Sequence, residues 1–123
     1  MVGVLALMLT EPRKLELVQA LEAEPLNEGE LAVRMDYSSV QALDLELHSG
    51  ETGRTMPYVM GFEGVGTVLR SRHDDFPSGM VVAFMLRRYM EESGCWQQEV
   101  TLSPRTACIV HVPHYLLPQE CAA

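Results

Sequence analysis

Positive charge is scarce in this 123-residue sequence: nine Lys plus Arg stand against 17 Asp plus Glu, for a net charge of −8. A surface field of that sign repels phosphate backbones and anionic lipid, so nucleic acid is not an expected partner. Cysteine is sparse as well. Cys95, Cys108 and Cys121 are odd in number, widely spaced and without a C-x-x-C pair. Neither a disulfide framework nor a structural zinc knuckle is expected, and a reducing cytoplasm is the expected compartment. Long apolar runs are also missing. The N-terminal run Val2 to Leu9 has no preceding Lys or Arg and no cleavage site, and about eight residues is too short for a signal peptide or a membrane span. There is no internal repeat, low-complexity tract or charge block, so a single domain with no membrane segment is expected.

What is present is 47% hydrophobic residues in short runs, punctuated by single Gly and Pro. That rhythm predicts a mainly β fold. The clearest strand is Glu30–Tyr37, where Leu31, Val33, Met35 and Tyr37 alternate with Glu30, Ala32, Arg34 and Asp36, which predicts a half-buried strand with its second set facing water. Further strands are expected at Val2–Leu9, Lys14–Leu21, Gly64–Arg70, Met80–Phe84, Trp96–Leu102 and Cys108–Val112. One helix interrupts them: Ser38 is the expected N-cap with Gln41 in capping-box spacing, Leu43 and Leu47 share a face, and Gly50 ends it. A second helical turn is expected to begin at Pro118. Seven short strands suggest a barrel or sandwich.

These features, read in order, carry a resemblance. PLNEGELAVR (Pro25 to Arg34), YSSVQALDLELHSG (Tyr37 to Gly50), MPYVMGFEGVGTV (Met56 to Val68), and FPSGMVVAF followed by GCWQQEVTL resemble successive motifs of the N-terminal domain of the medium-chain dehydrogenase/reductase superfamily. The similarity is greatest to its quinone oxidoreductase and acryloyl- or enoyl-reductase branches. It implies a GroES-like fold, a partly open β-barrel with one or two short helices over residues 1–123, which forms the substrate side of a cleft. A downstream Rossmann domain, absent from this chain, would bind NADPH or NADH; no cofactor is expected on this domain alone. The Gly61, Gly64, Gly66 cluster has the wrong order for a dinucleotide loop and is followed by a strand, so those glycines are expected to serve close backbone approach. The implied activity of the whole is reduction of a quinone, enone or enoyl thioester.

The resemblance also marks departures. Zinc-dependent members place a Cys in the Tyr37–Asp44 loop and a His before the acid of the G-x-E motif; here that loop lacks Cys and the second position is Phe62. No catalytic or structural zinc is expected. Gln41 stands where many reductases have an Asn that donates to substrate or nicotinamide, and Glu46 stands near the position of an occasional Tyr donor. Glu63 is the retained acid; in a Gly-rich apolar strand it calls for a partner or a wet cleft. Gln41 and Glu63 are the candidate catalytic residues, Gln41 also the candidate cofactor contact, and Phe62, Glu46 and Trp96 the candidate substrate-pocket residues. His111 and His114 are not expected to bind metal, and His73, Asp74 and Asp75 are expected in a solvated turn. Drift at Gly79-Met80-Val81-Val82 and Gln97-Gln98-Glu99 keeps open an alternative, a non-catalytic GroES-like binding or assembly domain. An isolated domain would expose apolar surface, so a homo-oligomer is a further expectation.

Overall fold

The computed structural model describes residues 4–20, 25–87 and 93–116. Eight strands and one helix follow in chain order: β1 Val4–Glu11, β2 Lys14–Ala20, β3 Leu31–Ser38, α1 Ala42–Ser49, β4 Tyr58–Val59, β5 Glu63–Ser71, β6 Val81–Leu86, β7 Glu99–Leu102 and β8 Ala107–His111. They form a three-stranded sheet, β2-β1-β4, and a five-stranded sheet, β7-β3-β5-β6-β8. Every described pairing is antiparallel. The result is the mainly β, curled half-barrel with one helix that the sequence suggests. The helical turn expected from Pro118 and the thiol of Cys121 lie outside the described residues.

The core fills the curl. Leu9 of β1, Leu31 and Val33 of β3, Leu47 of α1, Val68 of β5, Val82 of β6, Leu102 of β7 and Met60 are each 1% exposed or less. Burial of a side chain of this size contributes about 1.5–3 kcal/mol against the entropy of ordering the chain. Leu47 enters this cluster and Leu43 packs half-buried against it, as their shared helix face requires.

Three local expectations fail, each for a physical reason. The strand over Glu30–Tyr37 exists as β3, but its second set of residues does not all meet water: Ala32 is fully buried, while Tyr37 is 45% exposed. β3 is an interior strand held by β5 and β7, and bulges at Ala32/Val33 and Met35/Tyr37 turn successive side chains between faces. The helix does not start from Ser38, which ends β3; its N-cap is Gln41, whose backbone N–H donates to Asp44 Oδ2 at 2.7 Å. Finally, β7 begins at Glu99 rather than Trp96, and the segment before it is pinned by single bonds instead: Trp96 N–H donates to the Met60 carbonyl at 2.7 Å and Leu7 N–H to the Trp96 carbonyl at 2.8 Å. The short strand β4 has no sequence signature at all.

Candidate functional site

Two strand ends and one irregular segment meet at one mouth of the half-barrel. The β3–β5 register sets Ser38 opposite Gly64, so the residues that leave β3 lie beside Glu63, the first residue of β5. Ser39 Oγ donates to Glu63 Oε1 at 2.9 Å, and Gln41 Nε2 donates to the same oxygen at 2.6 Å. Gln41 Nε2 also donates to Ser39 Oγ at 2.7 Å. The two candidate catalytic residues are thus in direct contact, joined by a serine into a closed triangle. All three are half-buried, where hydrogen bonds to a carboxylate are stronger than between neutral groups. Glu63 therefore has the partner its setting requires, and that partner is an amide and a hydroxyl rather than an arginine.

A second layer fixes this triangle from below. The Ser38 hydroxyl donates to the Glu63 carbonyl at 2.7 Å and accepts from the Trp96 indole N–H at 3.0 Å. The buried Cys95 thiol also donates to the Glu63 carbonyl, at 3.4 Å. Burial pushes the Cys95 pKa up to about 12, with Asp44 and Glu63 adding to the rise against the Ser38 hydrogen bond. It is a neutral thiol that holds backbone, not a nucleophile. Beneath them, Gly61 has a φ of 112°, and a Cβ there would meet the Trp96 backbone nitrogen at 2.6 Å as well as the indole ring. Gly64 and Gly66 likewise lie against the backbone of Tyr37 and Arg34, the close approach expected of that cluster.

The remaining candidates divide. Trp96 is half-buried, packs against the core and faces the site through its indole N–H. Phe62 is half-buried against the same core. Glu46 lies on the exposed side of α1, its carbonyl accepting from Ser49 Oγ at 2.6 Å; no described hydrogen bond joins it to the Gln41–Glu63 pair. His111 closes β8 and His114 lies in a turn beside Tyr115, both exposed. His73 to Asp75 form a turn closed by Asp75 N–H to His73 Nδ1 at 3.1 Å. Among the described residues no three His, Cys, Asp or Glu side chains converge where a metal ion could be held. Ser38, Ser39 and Cys95 were not legible as site residues. Two consecutive hydroxyls opposite a lone acid were the available signal, but only the strand register brings them together.

In this arrangement both N–H groups of the Gln41 amide are engaged internally. A carbonyl oxygen arriving at the triangle could take the place of one acceptor and receive the freed N–H, with Glu63 continuing to orient the amide and the serine.

The sequence profile of the alcohol dehydrogenase GroES-like domain family matches residues 27–114. No curated protein sequence matches the chain. Solved structures do. Galactitol-1-phosphate dehydrogenase from Escherichia coli superposes with a TM-score of 0.82 at 13% identity, over 96% of this chain and 40% of that one. Zinc-dependent alcohol dehydrogenase 2 from Streptococcus pneumoniae gives 0.81 at 14% identity, over 98% and 41%. A quinone oxidoreductase from Pseudomonas syringae gives 0.79 at 20% identity, over 97% and 36%. The chain spans well under half the length of each, and the shared fold does not separate zinc-dependent from quinone-reducing relatives.

Proposed function

Because the chain belongs to the alcohol dehydrogenase GroES-like domain family, we propose that it is the substrate-side domain of a zinc-independent, NAD(P)H-dependent reductase of a quinone, enone or enoyl thioester. The observation that carries this reading is the 2.6 Å hydrogen bond from Gln41 to Glu63. It gives the Tyr37–Asp44 loop and the acid of the G-x-E motif, the two segments that by the resemblance carry or adjoin metal ligands in the zinc-dependent branch, an oriented amide donor and a carboxylate instead. The donor chemistry supports zinc independence: the Tyr37–Asp44 loop holds no Cys, a phenyl ring stands where the resemblance places the imidazole, and Glu63 is turned towards Ser39 and Gln41.

A bound nicotinamide cofactor would supply hydride. The work left to this domain is to place the substrate oxygen and stabilise the charge that develops on it. Gln41 would donate to that oxygen, Ser39 would follow as a second donor, and Glu63 would hold both in position; such preorganised donors commonly contribute about 3–4 kcal/mol to a barrier. Phe62 and Trp96 would supply apolar wall. The nucleotide would be held by a Rossmann domain, and the cytoplasm is the compartment that suits the free thiols of Cys95 and Cys108.

One observation favours a non-catalytic binding domain: the Gln41 amide already satisfies both of its N–H groups within the chain. Titration of NADPH separates the readings. Binding by the natural protein that carries this chain, and not by these 123 residues alone, supports the reductase; binding by neither sinks it and leaves the assembly domain.

A further inference from the structure

β3 changes face just before the site. Met35 packs against the core cluster that includes Cys95 and against which Trp96 lies. Three positions on, strict alternation would turn Ser38 to the other side of the sheet. A bulge prevents this. Met35 pairs with Gly66 and Tyr37 with Val65, so Asp36 has no residue opposite it on β5, and the one extra residue returns Ser38 to the side of Met35. The bulge is clamped at the surface, where the Asp36 carboxylate accepts from Thr67 Oγ1 at 2.8 Å and from Arg34 Nε at 3.3 Å. An exposed ion pair of this kind contributes little to stability. Its consequence is the facing of the residues that follow.

Ser38 uses that facing to hold the backbone of Glu63. The β3–β5 ladder ends at Ser38 and Gly64. One residue beyond it, the Glu63 carbonyl accepts from the Ser38 hydroxyl at 2.7 Å and from the Cys95 thiol at 3.4 Å. The Trp96 indole N–H donates to the same hydroxyl at 3.0 Å, which occupies a lone pair and leaves the hydroxyl proton directed at the carbonyl. The side chain of Glu63 then reaches the donors, its Oε1 accepting from Ser39 at 2.9 Å and from Gln41 at 2.6 Å. None of the described hydrogen bonds joins Ser38 to Gln41; the path between them runs through Glu63.

We propose that Ser38, turned to the core side by the Asp36 bulge, is a positioning residue that fixes the Glu63 backbone and thereby the aim of the Gln41 amide. That this aim serves a reduction rests on the reductase reading; the aim itself does not.

Two readouts on the natural protein that carries this chain keep the two apart. The side-chain amide resonances of Gln41, identified by their loss in Gln41→Ala, report the aim without turnover, and NADPH oxidation with a neutral alkyl enone reports its use. Ser38→Ala should shift those resonances and speed their hydrogen exchange about tenfold. It should also lower kcat about tenfold while KM changes less than about twofold. In a Glu63→Gln background the same substitution should cost less than about twofold in kcat, because Ser38 acts through that side chain. Ser38→Thr, which restores the hydroxyl, should recover at least about half of the wild-type kcat. Asp36→Ala, at the exposed clamp, should shift the Gln41 resonances in the same direction, and it carries the test if urea midpoints show that Ser38→Ala does not fold. Gln41 resonances unmoved in both variants overturn the proposal, as does a Ser38→Ala loss undiminished in the Glu63→Gln background. Resonances that move in a natural protein that never oxidises NADPH remove the reductase reading and leave the positioning standing. A wild-type kcat in Ser38→Ala does the reverse.

Discussion

Gln41 donates its side-chain amide to Glu63 Oε1 at 2.6 Å across 22 residues of sequence. A bond of this kind ties the start of α1 to the start of β5. Gln41→Ala should therefore destabilise the fold by about 1 kcal/mol, and a cycle with Glu63→Gln should give a coupling of about 1 kcal/mol. Urea unfolding of the two single variants and the double variant measures it. Purely additive effects would mean the pair does not hold in solution.

Cys95 predicts how stability responds to alkali. Its folded pKa of about 12 lies above the ordinary 9.0, chiefly because burial disfavours the thiolate. Above pH 9 the unfolded chain gives up this proton and the folded chain keeps it. Stability is therefore full below that pH and falls as pH rises towards 12. Burial of Tyr58 and the Glu16 carboxylate beside Lys14 raise those two pKa values, and both push the same way. Under reducing conditions, the urea midpoint should drop across this window, and Cys95→Ala should flatten the drop. A slope unchanged in the variant would remove Cys95 as its source.

Gly61→Ala tests the seat of Trp96. The positive φ and the contact with the Trp96 backbone nitrogen together predict a loss of about 3 kcal/mol. The indole should also lose its bond to Ser38, with a red-shifted emission in the variant that still folds. Wild-type stability and emission would show that the chain accommodates a side chain there.

Much of this architecture can be read from periodicity, because short β-branched runs between turn residues have few other ways to be buried. The strand containing Val33 and Met35 and the face shared by Leu43 and Leu47 follow from that pattern alone. What escaped depends on pairing across the sheets. Ala32 is buried because β7 and β5 flank its strand, which the alternation within β3 cannot reveal. The N-cap moved from Ser38 to Gln41 because Gln41 and Asp44 repeat the same spacing three residues on. Tyr58–Val59 pairs with Met8 and Leu9, and a strand that short leaves no period to detect. At the site, Gln41 and Glu63 stood out as residue types that need a partner, and each is the other's. Ser38, Ser39 and Cys95 became part of the site only through the register that sets Ser38 opposite Gly64.

The central claim is that Gln41, Ser39 and Glu63 serve a metal-free reduction. It is tested most directly by following NADPH oxidation by the natural protein that carries this chain, with a neutral alkyl enone as acceptor, with and without a strong zinc chelator. Oxidation should require the enone, proceed equally with chelator, and lose about tenfold in kcat/KM in Glu63→Gln, where the orienting charge is removed. Turnover abolished by the chelator, or unchanged in Glu63→Gln, would contradict the account.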